Sequence, residues 1–212
     1  AQTAKLVAAD AAQHDWFGAA VATTAGRIVV GADGADVHTS GTKWSSFSKQ
    51  AGAAYVFEPT KAGGWQQTAK LVATYDAYDA FFGGAIDVVA TRVVVGAVYA
   101  DAKGNNSGAA YIFDQQSGGA WKQVASLVAS DAQSGSRFGQ SVAIAGAWVL
   151  VGAPKASTAG KSTGAAYVFQ VKSGGGWQQV QKLFTGDAAS GEYFGGSVAA
   201  RNGSLLVGAP YA

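Results

Sequence analysis

The sequence predicts an all-β chain folded as a β-propeller of four-stranded antiparallel blades, about four repeats long with the last blade incomplete. Three observations predict it. One pattern of segments returns at a 56-residue step through most of the chain. Each period holds four short runs with the look of strands. The composition, with 30 Gly and 13% charged against 49% hydrophobic residues, suits many strands joined by tight turns.

The first strand of each unit follows a Phe-Gly pair. These pairs stand at Phe17-Gly18, Phe82-Gly83, Phe138-Gly139 and Phe194-Gly195, which are 65, 56 and 56 residues apart. A second strand, ending in Gly-Ala, runs Ile28 to Ala32, Val93 to Ala97, Val149 to Ala153 and Leu205 to Ala209. The third carries Gly-Ala-Ala-Tyr and two apolar residues, from Gly52 to Phe57, Gly108 to Phe113 and Gly164 to Phe169. The fourth starts at Trp65, Trp121 and Trp177, and leads into segments around Leu71, Leu127 and Leu183. All these runs are rich in Val, Ile, Tyr and Phe and are bounded by turn residues, so each unit reads as a meander of four strands. Gly31, Gly96, Gly152 and Gly208 are expected where neighbouring backbones approach closely near the hub. The recurring tryptophans are expected to cover blade edges or cores.

A single domain over residues 1–212 follows, with repeats at about 9–73, 74–129, 130–185 and 186–212. Residues 1–8 repeat the fourth-strand segment around Leu6 and are expected as an orphan outer strand. The nine extra residues of the first unit fall between its second and third strands, within Gly34 to Gln50, and read as a long loop containing Val37, His38, Trp44 and Phe47.

With the residues in place, the chain resembles the FG-GAP repeat of integrin α-subunit propellers and of many extracellular proteins. The Phe-Gly pair and the intact Gly152-Ala153-Pro154 and Gly208-Ala209-Pro210 carry the resemblance. The first two copies depart from it, reading Gly31-Ala32-Asp33 and Gly96-Ala97-Val98. Repeats of the integrin type often hold calcium between strands one and two. The corresponding connections here, 23–27, 89–92, 145–147 and 200–204, lack the several oxygen ligands such a site needs, so no metal site is expected.

Composition narrows the function classes. The 15 Lys and Arg are dispersed and the net charge is +2, which argues against nucleic-acid binding. Absence of cysteine removes disulfides and thiolate metal sites. No apolar stretch approaches the roughly 18–20 residues of a membrane helix, so membrane insertion is not expected. With no methionine anywhere, the chain is expected to be a processed product or part of a larger protein. Strand counting leaves unpaired edges at both ends, which points to other copies of the chain, or to a larger parent chain, as partners.

The candidate binding residues lie in the loops from strand four to the next strand one. Immediately before each Phe-Gly stand Trp16, Phe81, Arg137 and Tyr193, residues able to stack on a sugar ring, with Asp15, Asp79 and Glu192 nearby as acceptors. Packing between blades and turn capping by Asp10, Asp131 and Asp187 is the competing reading of these loops. His14 beside Asp10 and Asp15 has no counterpart in the other units and is read as loop, and His38 is equally alone. Gly160-Lys161-Ser162 lacks the leading glycine of a phosphate loop. Asn105 and Asn202 open N-glycosylation patterns in expected turns.

The function expected is therefore that of a non-catalytic, secreted or cell-surface interaction and assembly module, self-associating through its blade edges and needing no cofactor. A carbohydrate-binding lectin using the loops before each Phe-Gly pair is the first alternative, and a propeller-fold hydrolase or lyase the second.

Overall fold

The computed structural model describes residues 3–37, 50–74, 79–158, 160–186, 189–201 and 203–212. Every regular element among them is a β-strand. The first blade comprises β1 (Phe17–Thr24), β2 (Arg27–Ala32), β3 (Ala53–Pro59) and β4 (Trp65–Leu71). The second comprises β5 (Phe82–Val89), β6 (Arg92–Ala97), β7 (Ala109–Gln115) and β8 (Trp121–Leu127). The third begins with β9 (Ser141–Ala145) and β10 (Trp148–Ala153), then makes a small hairpin of β11 (Ser157–Thr158) and β12 (Lys161–Ser162). It finishes with β13 (Ala165–Val171) and β14 (Trp177–Leu183). A fourth unit contributes β15 (Ser197–Arg201) and β16 (Ser204–Gly208).

Each complete blade is an antiparallel meander with strands in chain order, and the fourth unit is a two-stranded sheet. First strands pack in succession, β1 on β5, β5 on β9 and β9 on β15, so they line the hub and the blades stack around it. This is the propeller arrangement. Burial follows from it. Second and third strands lie between neighbouring blades, so β6 and β7 are buried on both faces and read as continuous apolar runs. The outer strand β8 alternates between half-buried and exposed positions and accordingly carries Lys and Gln.

The 56-residue signature is a lock between blades. A Cβ on Gly31, Gly96 or Gly152 would lie 1.9, 2.0 and 2.0 Å from the carbonyl oxygens of Gly83, Gly139 and Gly195, each the glycine of the next unit's Phe-Gly pair. Gly52, Gly108 and Gly164 form parallel bridges to Phe82, Phe138 and Phe194 of that same pair. The amides of those phenylalanines donate to the carbonyls of Ala51, Ser107 and Thr163, each at 3.0 Å. One dipeptide is thus held from two sides by the preceding blade. Its phenylalanine turns into its own blade: Phe138 is fully buried against Tyr167 and Phe169, with ring centroids at 5.5 and 5.9 Å. Phe82 sits equivalently between Tyr111 and Phe113.

Side chains add further staples. The Asp87 carboxylate accepts the Ile144 amide of the next blade at 2.8 Å and its neighbour Val88 at 2.8 Å. Burial pushes its carboxyl above the usual range, partly opposed by those two bonds. Two of the recurring tryptophans cover blade edges, since the Arg27 guanidinium lies 5.0 Å from the Trp121 ring and that of Arg92 5.2 Å from Trp177, while Trp65 is exposed. In each case an arginine at the start of a second strand reaches the next blade's outer strand.

A third staple joins the first and the third of the four-to-one loops to the blade that follows. Lys70 pairs with Asp10, and Lys182 with Asp131, both at 2.6 Å. Burial disfavours charge on Asp131, but the Lys182 ammonium and the Tyr167 hydroxyl outweigh it and hold the carboxyl below the usual carboxylate range. Lys70 and Tyr55 act alike on Asp10. A depressed acid stabilises the fold above its unfolded pKa, about 3.9, and that contribution is lost as pH falls through the folded value. Asp131→Asn is expected to lower the urea midpoint at pH 7 by the equivalent of no more than about 1 kcal/mol, because the pair is half exposed. The difference from the parent should shrink toward zero when the same titration is run near pH 2.

Residues 3–8 hold the place of an outer strand of a preceding blade but do not have strand geometry. The Ala9 amide donates to Gln67 Oε1 at 2.9 Å, as Thr74 does to Gln123 and Ser130 to Gln179. Leu6 packs against the core that contains Tyr55 and Phe57. Strand geometry here would need a third strand beside it, and none is present among the described residues. In the long loop of the first unit, His38, Trp44 and Phe47 lie outside the described residues, and Val37 is buried.

Candidate functional site

Each Phe-Gly pair sits in a tight turn whose first residue is Trp16, Phe81, Arg137 or Tyr193. The carbonyls of these four accept the amides of Ala19, Gly84, Gln140 and Gly196 at 3.0, 3.3, 3.2 and 2.9 Å. All four hold left-handed backbone angles, with φ of 53°, 54°, 57° and 55°. That conformation disfavours bulky side chains by about 1–2 kcal/mol. It persists because the turn is clamped: the Phe81 amide donates to the Gln50 carbonyl at 3.1 Å and that of Arg137 to Asn106 at 3.2 Å.

The geometry brings the four side chains into one line across successive units. Trp16, half exposed, stacks on Phe81 with centroids 5.9 Å apart. Phe81 meets the edge of Tyr99 at 5.1 Å, and the Arg137 guanidinium lies 5.2 Å from that same Tyr99 ring. One unit further, the Lys155 ammonium stands 5.9 Å from the Tyr193 ring, which meets Tyr211 at 5.3 Å. Tyr99, Lys155 and Tyr211 each stand two residues beyond a Gly-Ala pair. Sequence reasoning missed them, because the same offset in the first unit holds Gly34 and the column has no common chemistry.

Two cavities open along the line. One, of about 270 Å³, is lined by Asp33, Phe81, Tyr99 and Gln140 among others. Asp33 occupies the position of Pro154 and Pro210 in the later units. Burial pushes its carboxyl upward against two backbone hydrogen bonds, and its Oδ1 is buried with no hydrogen-bond partner among the described residues. The other cavity, of about 370 Å³, is walled by Arg137, Lys155, Tyr193 and Tyr211, with Gln140 and two prolines.

The carboxylates expected as sugar acceptors behave differently. Asp15 is buried and its Oδ2 accepts the Ala12 amide of its own turn at 2.8 Å. Glu192 closes its turn in the same way, accepting from Ala189 at 2.6 Å. Asp79 has a left-handed φ of 53° three residues before Phe82 and is half buried. Among the described residues no group of three or more His, Cys, Asp or Glu is placed to hold a metal ion. Asn105 is exposed in a turn, whereas the Ser107 of its acceptor pattern is buried and accepts the Lys103 amide. Asn202 lies outside the described residues.

The family model described as "FG-GAP repeat" matches residues 1–57, 65–113, 121–169 and 177–212. No curated protein matches the chain. Among solved structures it is similar to Sqt1 from Chaetomium thermophilum, with a TM-score of 0.49 and 13% identity. That likeness covers 82% of this chain, which spans 38% of the length of Sqt1.

Proposed function

The chain belongs to the FG-GAP repeat family, and from that premise we propose that it is a non-catalytic extracellular interaction module that binds through the loops before each Phe-Gly pair. One observation carries this reading. Four units hold an aromatic residue or arginine in the same left-handed conformation, joined from unit to unit by ring and cation contacts and, between Arg137 and Tyr193, by a shared cavity. A side chain that only filled space between blades would gain nothing from a disfavoured backbone angle repeated at every unit.

The same reading extends to other copies of the chain. The fourth unit offers a face equivalent by repeat to those against which the second, third and fourth units already pack. On it Leu206 is 64% exposed, whereas its counterpart Leu150 is fully buried. The front of the first blade is likewise equivalent to the fronts of the units that follow, and residues 3–9 already hold an outer-strand position there. A second copy, or more of a larger parent chain, therefore fits these faces, a copy doing so head to tail in a heterologous contact.

The test is a panel of immobilised extracellular polysaccharides and matrix proteins, read by surface plasmon resonance, with the mass of each sample taken by sedimentation. The parent should bind at least one member without degrading it, and Trp16→Ala combined with Tyr193→Ala should weaken that binding at least tenfold while the circular dichroism is retained. Sedimentation should show mass rising with concentration, and less so in Leu206→Lys. Turnover of a bound polysaccharide, or binding indifferent to the double variant, overturns the loop-face reading. A concentration-independent monomer overturns the head-to-tail contact.

A further inference from the structure

The geometry points to the cavity between the third and fourth units as a site for an anionic saccharide, a ring carrying a carboxylate or sulfate. This inference rests on the loop-face reading and names the ligand class for one part of it. The cavity, about 370 Å³, has the size of a site for one or two sugar units. Its charge is what singles it out. Arg27, Lys70, Arg92 and Lys182 are each paired with a carboxylate elsewhere in the fold. Arg137 and Lys155 have no such partner among the described residues, yet both line this one cavity. The nearest acid in sequence, Glu192, is turned back onto the Ala189 amide.

Both cations are held in place before any ligand arrives. The Arg137 guanidinium rests on the Tyr99 ring and the Lys155 ammonium on the Tyr193 ring. Their backbones are fixed as well, by the bond from the Arg137 amide to Asn106 and that from the Lys155 amide to Ser136 at 3.3 Å. Ordered cations lose little further freedom on binding, which favours affinity. A planar guanidinium matches the two oxygens of a carboxylate or sulfate, and an ammonium adds a second point charge. Tyr193, Tyr211, Pro154 and Pro210 supply flat apolar surface of the kind that stacks on the C–H face of a pyranose, and the Gln140 amide offers a donor and an acceptor for hydroxyls. The neighbouring cavity, with Asp33 in it, would repel an acid, so binding should be confined to this interval.

Calorimetry on the full chain tests the assignment with three probes: a tetrasaccharide of galacturonate, a sulfated galactan fragment and a neutral galactan fragment. At least one anionic probe should bind ten times more tightly than the neutral one, weaken as salt is raised, and lose at least tenfold in Arg137→Gln with Lys155→Gln. Preference between the first two probes assigns the carboxylate or the sulfate as the natural charge. Lys122→Gln, at an exposed position on β8, should change nothing. Neutral galactan bound as tightly as the acidic probes, or acidic binding indifferent to the double variant, overturns the inference and leaves the loop-face reading standing. Silence toward all three probes overturns it also, and the panel of matrix proteins then decides whether the broader reading falls with it.

Discussion

Replacing Gly96 by alanine is expected to destabilise the chain by about 3 kcal/mol or more, at the upper end of what overpacking costs. The added methyl would lie 2.0 Å from the Gly139 carbonyl oxygen and 3.2 Å from the Ala85 Cβ, and the nearer atom is backbone of the next blade. Backbone conformation plays no part, because Gly96 is outside the left-handed region and alanine is at ease there. Relief therefore requires the second and third blades to separate. Separation also pulls on the bond from the Phe138 amide to Ser107, on the Gly108 bridge and on the Asp87 carboxylate that accepts from Ile144. Gly208→Ala is the matched control, since there the methyl meets only the Ser197 hydroxyl, at 2.4 Å, which can rotate aside. For a chain of this size each kcal/mol lowers Tm by about 2–4 °C, so thermal melting separates the two variants. Equal melting temperatures would show that the glycine lock does not hold the blades together.

The glycine lock was legible in the sequence because close approach admits one residue type, and that type recurs every 56 residues. The covers formed by Trp121 and Trp177 were legible through the same recurrence. What could not be read has a different physical character. Lys155, Tyr99 and Tyr211 share a position with Gly34, so that column holds no common chemistry and only the fold shows its side chains meeting those of the next unit. Asp33 was visible as a departure from proline, but its buried oxygen without a partner is a property of the cavity. Asp15 and Glu192 look like free acceptors in a sequence. Whether such a carboxylate faces a ligand or closes on an amide three residues back depends on the turn, and here both close. The N-terminal segment shows a related limit: its residues match an outer strand, yet pairing depends on a neighbour that periodicity does not supply.

The same phenylalanine should have unequal importance in different units. Phe138→Ala is expected to lower stability by about 3–5 kcal/mol, because it empties a fully buried site lined by Tyr167 and Phe169. Those rings lie on β13, the third strand of the same blade, and they cannot collapse into the space without giving up contacts with Val149 and Val151 in the same core. Phe194 occupies the identical place in the repeat, with its amide bound to Thr163 as that of Phe138 is to Ser107. Among the described residues no third strand closes over it, however, and it is half buried against Ala143, Leu150 and Val168 of the preceding blade. Phe194→Ala should therefore cost less than half as much as Phe138→Ala, as judged from urea midpoints at equal protein concentration. Head-to-tail association would narrow the gap, since a second copy seated on the fourth unit buries Phe194 further. If the two variants lose equal stability even at dilutions where sedimentation shows monomer, then the dipeptide acts through its backbone lock alone and the aromatic core contributes little.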